Sequence, residues 1–140
     1  MRLPGGCHCG NIAFTLDWPD GTRIPARECG CSFCRKHGGI WTSNPAAHLA
    51  VRMREPERTS HYSFGTRTAR FHVCTACGVV PFVTSEVDGR LLAVVSVRAL
   101  DAVGEGLIEP ARHADFEGET EAARLARRAR NWIGSVEGVR

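Results

Sequence analysis

The chain has 140 residues, of which 43% are hydrophobic and 24% are charged. This length suits one domain over residues 1–140, and this balance excludes a wholly disordered chain. No apolar run approaches the roughly 20 residues of a membrane span, and residues 1–6 lack the apolar stretch of a secretory signal. We therefore expect a cytoplasmic protein without a membrane partner.

The formal net charge of +3 counts the cysteines as neutral. If all seven cysteines bind two zinc ions as thiolates, the net charge falls to zero. A near-neutral protein has no strong general attraction to the phosphate backbone, so nucleic acid is not an expected partner. The sequence leaves the oligomeric state open.

Alternating apolar residues predict short strands along the first hundred residues. The candidate strands cover residues 12–16, 22–28 (interrupted by Pro25), 49–53, 61–64, 69–73, 79–83 and 91–97, and a turn lies at Asp88–Gly89 between the last two. Strands this short, joined by turns, form a meander of antiparallel strands. The fold class is therefore mainly β.

The C-terminal segment has a different periodicity. Apolar residues recur at helical spacing from position 119 to position 136, at Leu125, Ala129, Trp132, Ile133 and Val136. Arginines occupy positions between them: Arg124, Arg127, Arg128 and Arg130. The pattern predicts one helix, which either docks on the sheets with a solvated basic face or contacts an acidic partner or nucleic acid.

The cysteines fall into three close groups that read C-x-C, C-x-C-x2-C and C-x2-C. They are Cys7, Cys9, Cys29, Cys31, Cys34, Cys74 and Cys77. An odd number leaves one thiol outside a complete disulfide framework, and a bridge between cysteines two apart strains disulfide geometry. Zinc accepts such pairs because its thiolate ligands converge on one point about 2.3 Å from each sulfur. The spacing therefore predicts bound Zn²⁺.

Glycine follows the second cysteine of the first and last groups, as Gly10 and Gly78. A positive φ at these glycines turns backbone N–H groups toward the sulfurs, as in zinc knuckles. Two knuckles complete one tetrahedral, closed, structural site, formed by Cys7, Cys9, Cys74 and Cys77. Such a site closes a long loop and so constrains the unfolded chain strongly.

The middle group supplies Cys29, Cys31 and Cys34. Three thiolates leave one position of a tetrahedral zinc shell open, which is the pattern of catalytic zinc. Other interpretations stay open: a different partition of the ligands, inert buried cysteines, or a redox trio that never holds metal.

Several neighbouring residues have two possible roles. His72 is either a hydrogen-bond donor to a ligand sulfur or an ordinary strand residue. Arg35 and Lys36 either attract an anionic thiol or form an exposed basic pair. Trp41 and Phe82 either line a pocket or belong to the core.

Three stretches, GGCHCGNIAF at 5–14, CGCSFCRKHGG at 29–39 and RFHVCTACG at 70–78, resemble the glutathione-dependent formaldehyde-activating enzyme family, which also includes centromere protein V. The resemblance implies a β-tent of small antiparallel sheets held by zinc. It assigns the four-cysteine group to the structural site and the three-cysteine group to the catalytic site. The family's middle motif usually reads C-H-C, and Gly30 stands here in place of that histidine.

The resemblance also implies an activity, which is the joining of a thiol such as glutathione to a small aldehyde such as formaldehyde, or the reverse carbon–sulfur lyase reaction. The open zinc site would lower the pKa of the thiol, with Cys29, Cys31 and Cys34 as its ligands. Two alternatives belong to other classes: a non-catalytic zinc-binding interaction module that uses the basic helix, and a thiol redox sensor.

Overall fold

A computed structural model describes residues 1–104 and 106–139. This part of the chain forms eleven strands: β1 Arg2–Gly6, β2 Ile12–Asp17, β3 Arg27–Cys29, β4 Ile40–Thr42, β5 His48–Met53, β6 Thr59–Tyr62, β7 Arg70–Cys74, β8 Phe82–Val87, β9 Arg90–Ser96, β10 Arg112–Ala114 and β11 Ser135–Glu137. It also forms two α-helices, α1 Ser32–His37 and α2 Glu121–Asn131, and short 3₁₀ turns at Pro56–Arg58 and Val97–Ala99. The mainly β fold predicted from the sequence is confirmed.

The described strands build two sheets. The smaller sheet has the order β1-β2-β5-β11, and the larger has the order β10-β3-β4-β9-β8-β7-β6. Pairing is antiparallel except at two edges, where β10 lies parallel to β3 and β11 lies parallel to β5. In the described residues, no helix has the length and apolar character needed to cross a membrane.

The central strands of the larger sheet, β8 and β9, are buried on both faces. Along β9, Ala93 and Val95 pack into a core shared with the smaller sheet, whereas Leu92 and Val94 pack into a second core with Trp132. Successive strand side chains point to opposite faces, so a nearly continuous apolar run is required where both faces are covered. The second core lies under α1 and α2 and forms the floor of the candidate site.

Most strand predictions agree with the structure to within a few residues. The segment 22–28 forms a strand only from Arg27, because Pro25 removes a backbone donor, and Ile24 makes a single bridge to Ile108. The predicted strand at 79–83 begins three residues later, at Phe82. The strands β1, β4 and β10 and the short helix α1 were not predicted, since none of them has a periodic apolar pattern.

The predicted C-terminal helix is shorter than the pattern indicated. Helix α2 begins after Thr120, whose hydroxyl accepts a hydrogen bond from the Ala123 N–H at 3.1 Å, and ends at Asn131. Ile133 then exchanges backbone hydrogen bonds with Ala93, and Val136 lies in β11. These apolar residues suit a strand as well as a helix, and the open edge of β5 provides the strand's partner.

In the described part of the chain, His72 makes no hydrogen bond to a cysteine sulfur. Its ring is buried, stacks on Phe82 with a centroid separation of 4.4 Å, and its Nε2 lies 2.7 Å from the Thr84 hydroxyl. Burial lowers the pKa of His72 to about 3, and the nearby His61 and Arg70 add to the effect. This histidine is therefore neutral in the folded protein at physiological pH.

The burial of neutral His72 predicts a loss of stability in acid. In the unfolded chain His72 is protonated below about pH 6.5, whereas in the folded chain it is protonated only below about pH 3. As the pH falls through this window, the protonation of His72 in the unfolded chain should lower the free energy of unfolding by about 1.4 kcal/mol per pH unit. The loss should be roughly 2 kcal/mol between pH 7 and pH 5. Urea titrations of wild type and His72→Gln should show that difference in pH dependence. Parallel curves for the two proteins would contradict it.

Candidate metal centres and the adjoining cavity

Four cysteines meet where the smaller sheet joins the end of β7. The sulfurs of Cys7, Cys9, Cys74 and Cys77 all lie within 4.8 Å of one another. The Sγ atoms of Cys9 and Cys74 are 3.5 Å apart, and those of Cys7 and Cys9 are 3.7 Å apart. Four sulfurs arranged tetrahedrally at 2.3 Å from zinc would be separated by roughly 3.8 Å. The geometry fits one tetrahedral metal ion.

Two tight turns present these sulfurs. Gly10 has a φ of 84° and its N–H donates to the Cys7 carbonyl, and Gly78 has a φ of 83° and donates to the Cys74 carbonyl. The Ile12 N–H also donates to the Cys7 sulfur at 3.2 Å. Only glycine adopts such φ values without strain, which is why the knuckle pattern was visible in the sequence.

The second cluster lies about the start of α1. Cys29 ends β3, Cys31 caps α1, and Cys34 lies within this helix, and their three sulfurs are within 4.8 Å of one another. The Cys31 sulfur accepts a hydrogen bond from the Cys34 N–H at 3.4 Å. The short helix therefore turns residues 31 and 34 to the same side and faces them toward the end of β3.

Cys34 is the buried member of this cluster. The Trp41 indole N–H donates to its sulfur at 3.3 Å, and Gly39 allows that ring to approach, because a Cβ at Gly39 would lie 2.8 Å from the indole nitrogen. A hydrogen bond from Cys34 lowers the pKa of Cys29 to about 5, while the Cys29 thiolate and burial raise the pKa of Cys34. The two pKa shifts have opposite directions, so a negative charge on this pair is favoured at Cys29 rather than at the buried Cys34.

A cavity of about 530 Å³ opens beside the three cysteines. This volume lies within the range of about 300–1,000 Å³ that is usual for small-molecule sites. Its floor is apolar and includes Phe71, Val83 and Val94 of the larger sheet. The cavity is therefore lined both by an apolar surface and by the three cysteines.

The cavity wall carries arginines from β3 and α2. They are Arg27, Arg124, Arg127 and Arg128. Helix α2 thus docks on the larger sheet as one interpretation predicted, but it turns three of its arginines toward the cavity rather than to solvent. Arg128 is only 6% exposed, and among the predicted basic residues of the helix Arg130 is the exposed one.

Other residues singled out in the sequence have varied positions. Arg35 lines the cavity rim, and Lys36 is exposed without lining the cavity. Trp41 lines the cavity, whereas Phe82 is fully buried in the core between the sheets.

The space beside Gly30 is filled from another strand. A Cβ at Gly30 would lie 2.7 Å from the ring of His113, which belongs to β10. A side chain at position 30 would therefore require His113 to move. Sequence reasoning missed this contact because 83 positions separate the two residues and no local pattern joins them.

The family model described as "Glutathione-dependent formaldehyde-activating enzyme" matches residues 2–116. The chain belongs to this family. The match ends before α2 and β11, so the arginines of α2 lie outside the matched residues.

Two individual proteins add to this finding. A Halomonas elongata protein named "Putative glutathione-dependent formaldehyde-activating enzyme" is 35% identical over 86 residues, which cover 55% of this chain and 52% of that protein. The chain therefore spans about half the length of this curated relative. A Rhodobacter sphaeroides protein of known crystal structure is 30% identical in sequence to this chain, and the two structures superpose with a TM-score of 0.55. The alignment covers 78% of this chain and 99% of that one.

Both cysteine clusters could hold a metal ion, and their donors suit zinc. Thiolate sulfur is a preferred zinc ligand, and four sulfurs make a closed shell, whereas three leave a position free for a ligand from the cavity. The two clusters thus differ in what they can do: the first can stabilise the fold, and the second can also bind an exogenous molecule.

Proposed function

We propose that this protein is a zinc-dependent enzyme of the carbon–sulfur lyase type, which joins or cleaves the adduct of a glutathione-like thiol and a small aldehyde such as formaldehyde. The observation that carries the proposal is the opening of three convergent cysteine sulfurs onto a cavity of about 530 Å³. The family and the name of the Halomonas elongata relative support the choice of thiol and aldehyde.

In this proposal the four-cysteine site is structural, and Cys29, Cys31 and Cys34 are the ligands of the catalytic metal. When bound there, zinc would supply a Lewis-acidic fourth position that lowers the pKa of a thiol. The Trp41 N–H fixes the Cys34 sulfur, and the apolar floor provides a surface for the non-polar part of the substrate.

The proposed reaction is balanced without a further reactant. In the forward direction the thiol loses its proton, a bond forms between its sulfur and the carbonyl carbon, and the carbonyl oxygen takes up a proton. In reverse the carbon–sulfur bond breaks, the hydroxyl proton is lost, and the sulfur leaves as a thiolate. No redox change occurs in either direction.

A reducing compartment supports this chemistry. The seven cysteines are unbridged in the structure, and free thiols persist best in the cytoplasm. We therefore also propose a cytoplasmic location for the protein.

Exchange spectroscopy tests the function directly, because formaldehyde also reacts with glutathione unaided. Zinc-loaded protein should raise the rate of exchange between ¹³C-formaldehyde and its glutathione adduct by at least about tenfold over the spontaneous rate, in proportion to protein concentration. Free zinc at the same concentration is the control. An exchange rate equal to the spontaneous one would reject the enzyme hypothesis and leave the interaction module or the redox sensor.

A further inference from the structure

The wall of the cavity holds more positive charge than its protein partners neutralise. Arg128 is 6% exposed, and its Nη1 donates to the hydroxyls of Thr68 and Ser85 at 2.8 and 3.0 Å. Its Nε has no hydrogen-bond partner in the described part of the chain. Hydroxyl groups orient a guanidinium but carry no charge, and no carboxylate of the described residues lies within salt-bridge distance of the buried Arg128.

Arg27, which lies in β3, is also held by a hydroxyl group rather than by a carboxylate. Its Nη2 donates to the Ser43 hydroxyl at 2.9 Å, and that hydroxyl in turn donates to the Asn131 carbonyl at the end of α2. Among residues 1–104 and 106–139, no carboxylate lies within salt-bridge distance of Arg27. Burial lowers the pKa of Arg27, and the nearby Arg127 lowers it further.

Arg127 has a carboxylate partner, but it shares that partner. Glu119 accepts hydrogen bonds from Nε and Nη2 of Arg127, both at 3.1 Å, and also lies 3.4 Å from Nε of Arg124. The Arg127 guanidinium lies 3.6 Å from the centre of the Phe116 ring, which orients it over the cavity. One carboxylate therefore serves two arginines.

The other charged groups around the cavity do not neutralise this excess of positive charge. A zinc ion with three thiolates would carry one negative charge, so four arginines, Glu119 and the loaded metal site together leave two positive charges. Asp115, Glu117 and Arg35 also line the cavity, but all three are exposed, so solvent screens their charges. A buried guanidinium is normally paired with a carboxylate or a phosphate, and Arg128 instead lines a cavity that could hold such a group.

We propose that Arg27, Arg127 and Arg128 form a subsite that binds the carboxylate groups of the thiol substrate. This rests on the proposed function, in which the substrate sulfur lies at the three-cysteine site. A thiol that also carries carboxylates then contacts two groups of side chains that line one cavity. The planar guanidinium pairs with a carboxylate through two parallel hydrogen bonds, so the subsite selects anionic thiols over neutral ones of the same size.

S-methylglutathione separates carboxylate recognition from sulfur chemistry, because its thioether cannot become a thiolate. Isothermal titration should show binding to zinc-loaded wild type, and binding should weaken as salt rises. Arg27→Met and Arg127→Met should each weaken it by about 10- to 100-fold, because each removes a charge-assisted contact. The affinity of Arg128→Met for S-methylglutathione provides a third test, after a thermal melt has shown that this variant folds.

Matched controls come from the same helix and the same ligand. Arg130→Met makes the same substitution on the exposed side of α2 and should bind S-methylglutathione as wild type does. The dimethyl ester of S-methylglutathione should bind wild type about as weakly as the parent binds Arg27→Met. The proposal would be overturned if wild type bound the dimethyl ester as tightly as S-methylglutathione. It would also be overturned if Arg130→Met weakened binding as much as Arg27→Met and Arg127→Met do.

The two proposals can fail separately. Arginine-dependent binding of S-methylglutathione in a protein that does not accelerate the aldehyde exchange would reject the lyase function and support the anion subsite. Accelerated exchange that is unchanged in Arg27→Met and Arg127→Met, with unchanged KM for glutathione, would reject the subsite and support the function.

Discussion

Cys74→Ser is expected to abolish stable folding. The Cys74 side chain is fully buried in the core between the sheets, and its sulfur lies 3.5 Å from that of Cys9. Structural zinc contributes about 10–16 kcal/mol in small zinc domains, against a usual net stability of about 5–15 kcal/mol. Losing one of four ligands should therefore remove most of the stability. Circular dichroism should show an unfolded or aggregated chain at 25 °C.

Cys31→Ser is the matched control, because it makes the same substitution in the other cluster. It should keep the fold and the first zinc ion, and it should melt within a few degrees of wild type. Chelation of wild type should reproduce the behaviour of Cys74→Ser. A Cys74→Ser protein with the melting temperature and zinc content of wild type would show that the four-cysteine cluster does not hold a structural metal.

Cys31→Ser is expected to reduce activity strongly, although it should leave the fold intact. Removing one of three ligands leaves two sulfurs, which is too few to hold zinc firmly against solvent. Zinc measured in anaerobically purified protein should fall from about two ions per chain to about one. The catalysed exchange of formaldehyde with its glutathione adduct should fall at least about 100-fold.

Lys36→Ala provides the comparison for this effect. Lys36 lies on the same helix α1, is exposed and does not line the cavity, so zinc content and exchange should both equal those of wild type. Added glutathione should protect the second zinc of wild type from a chelator but give no protection in Cys31→Ser. Full exchange activity in Cys31→Ser, with one zinc lost, would place the reaction outside this site.

The division of the cysteines could be predicted from the sequence because ligand spacing is local. A C-x-C or C-x2-C pair followed by glycine has few possible conformations, and two such pairs make one tetrahedral shell. The structure brings together the two groups that spacing indicated, although 65 positions separate Cys9 from Cys74. The assignment of zinc and of separate roles to the two clusters stays a prediction.

The arginine cluster could not be predicted, although the sequence showed each of its members. Helical periodicity placed Arg124, Arg127 and Arg128 between the apolar positions of α2, which suggested a solvated face. Burial of Arg128 depends on Thr68 and Ser85, which lie 60 and 43 positions away. A hydroxyl partner at such a distance has no local pattern in the chain.

The sequence by itself determined the mainly β fold and the two groups of candidate metal ligands, since strand alternation and ligand spacing both act over a few neighbouring residues. Only the tertiary structure decided where the helix ends, that His113 fills the space beside Gly30, and that arginines of α2 line the same cavity as the three cysteines. Each of these depends on contacts between distant segments, which form where an open strand edge or an unfilled space finds its partner.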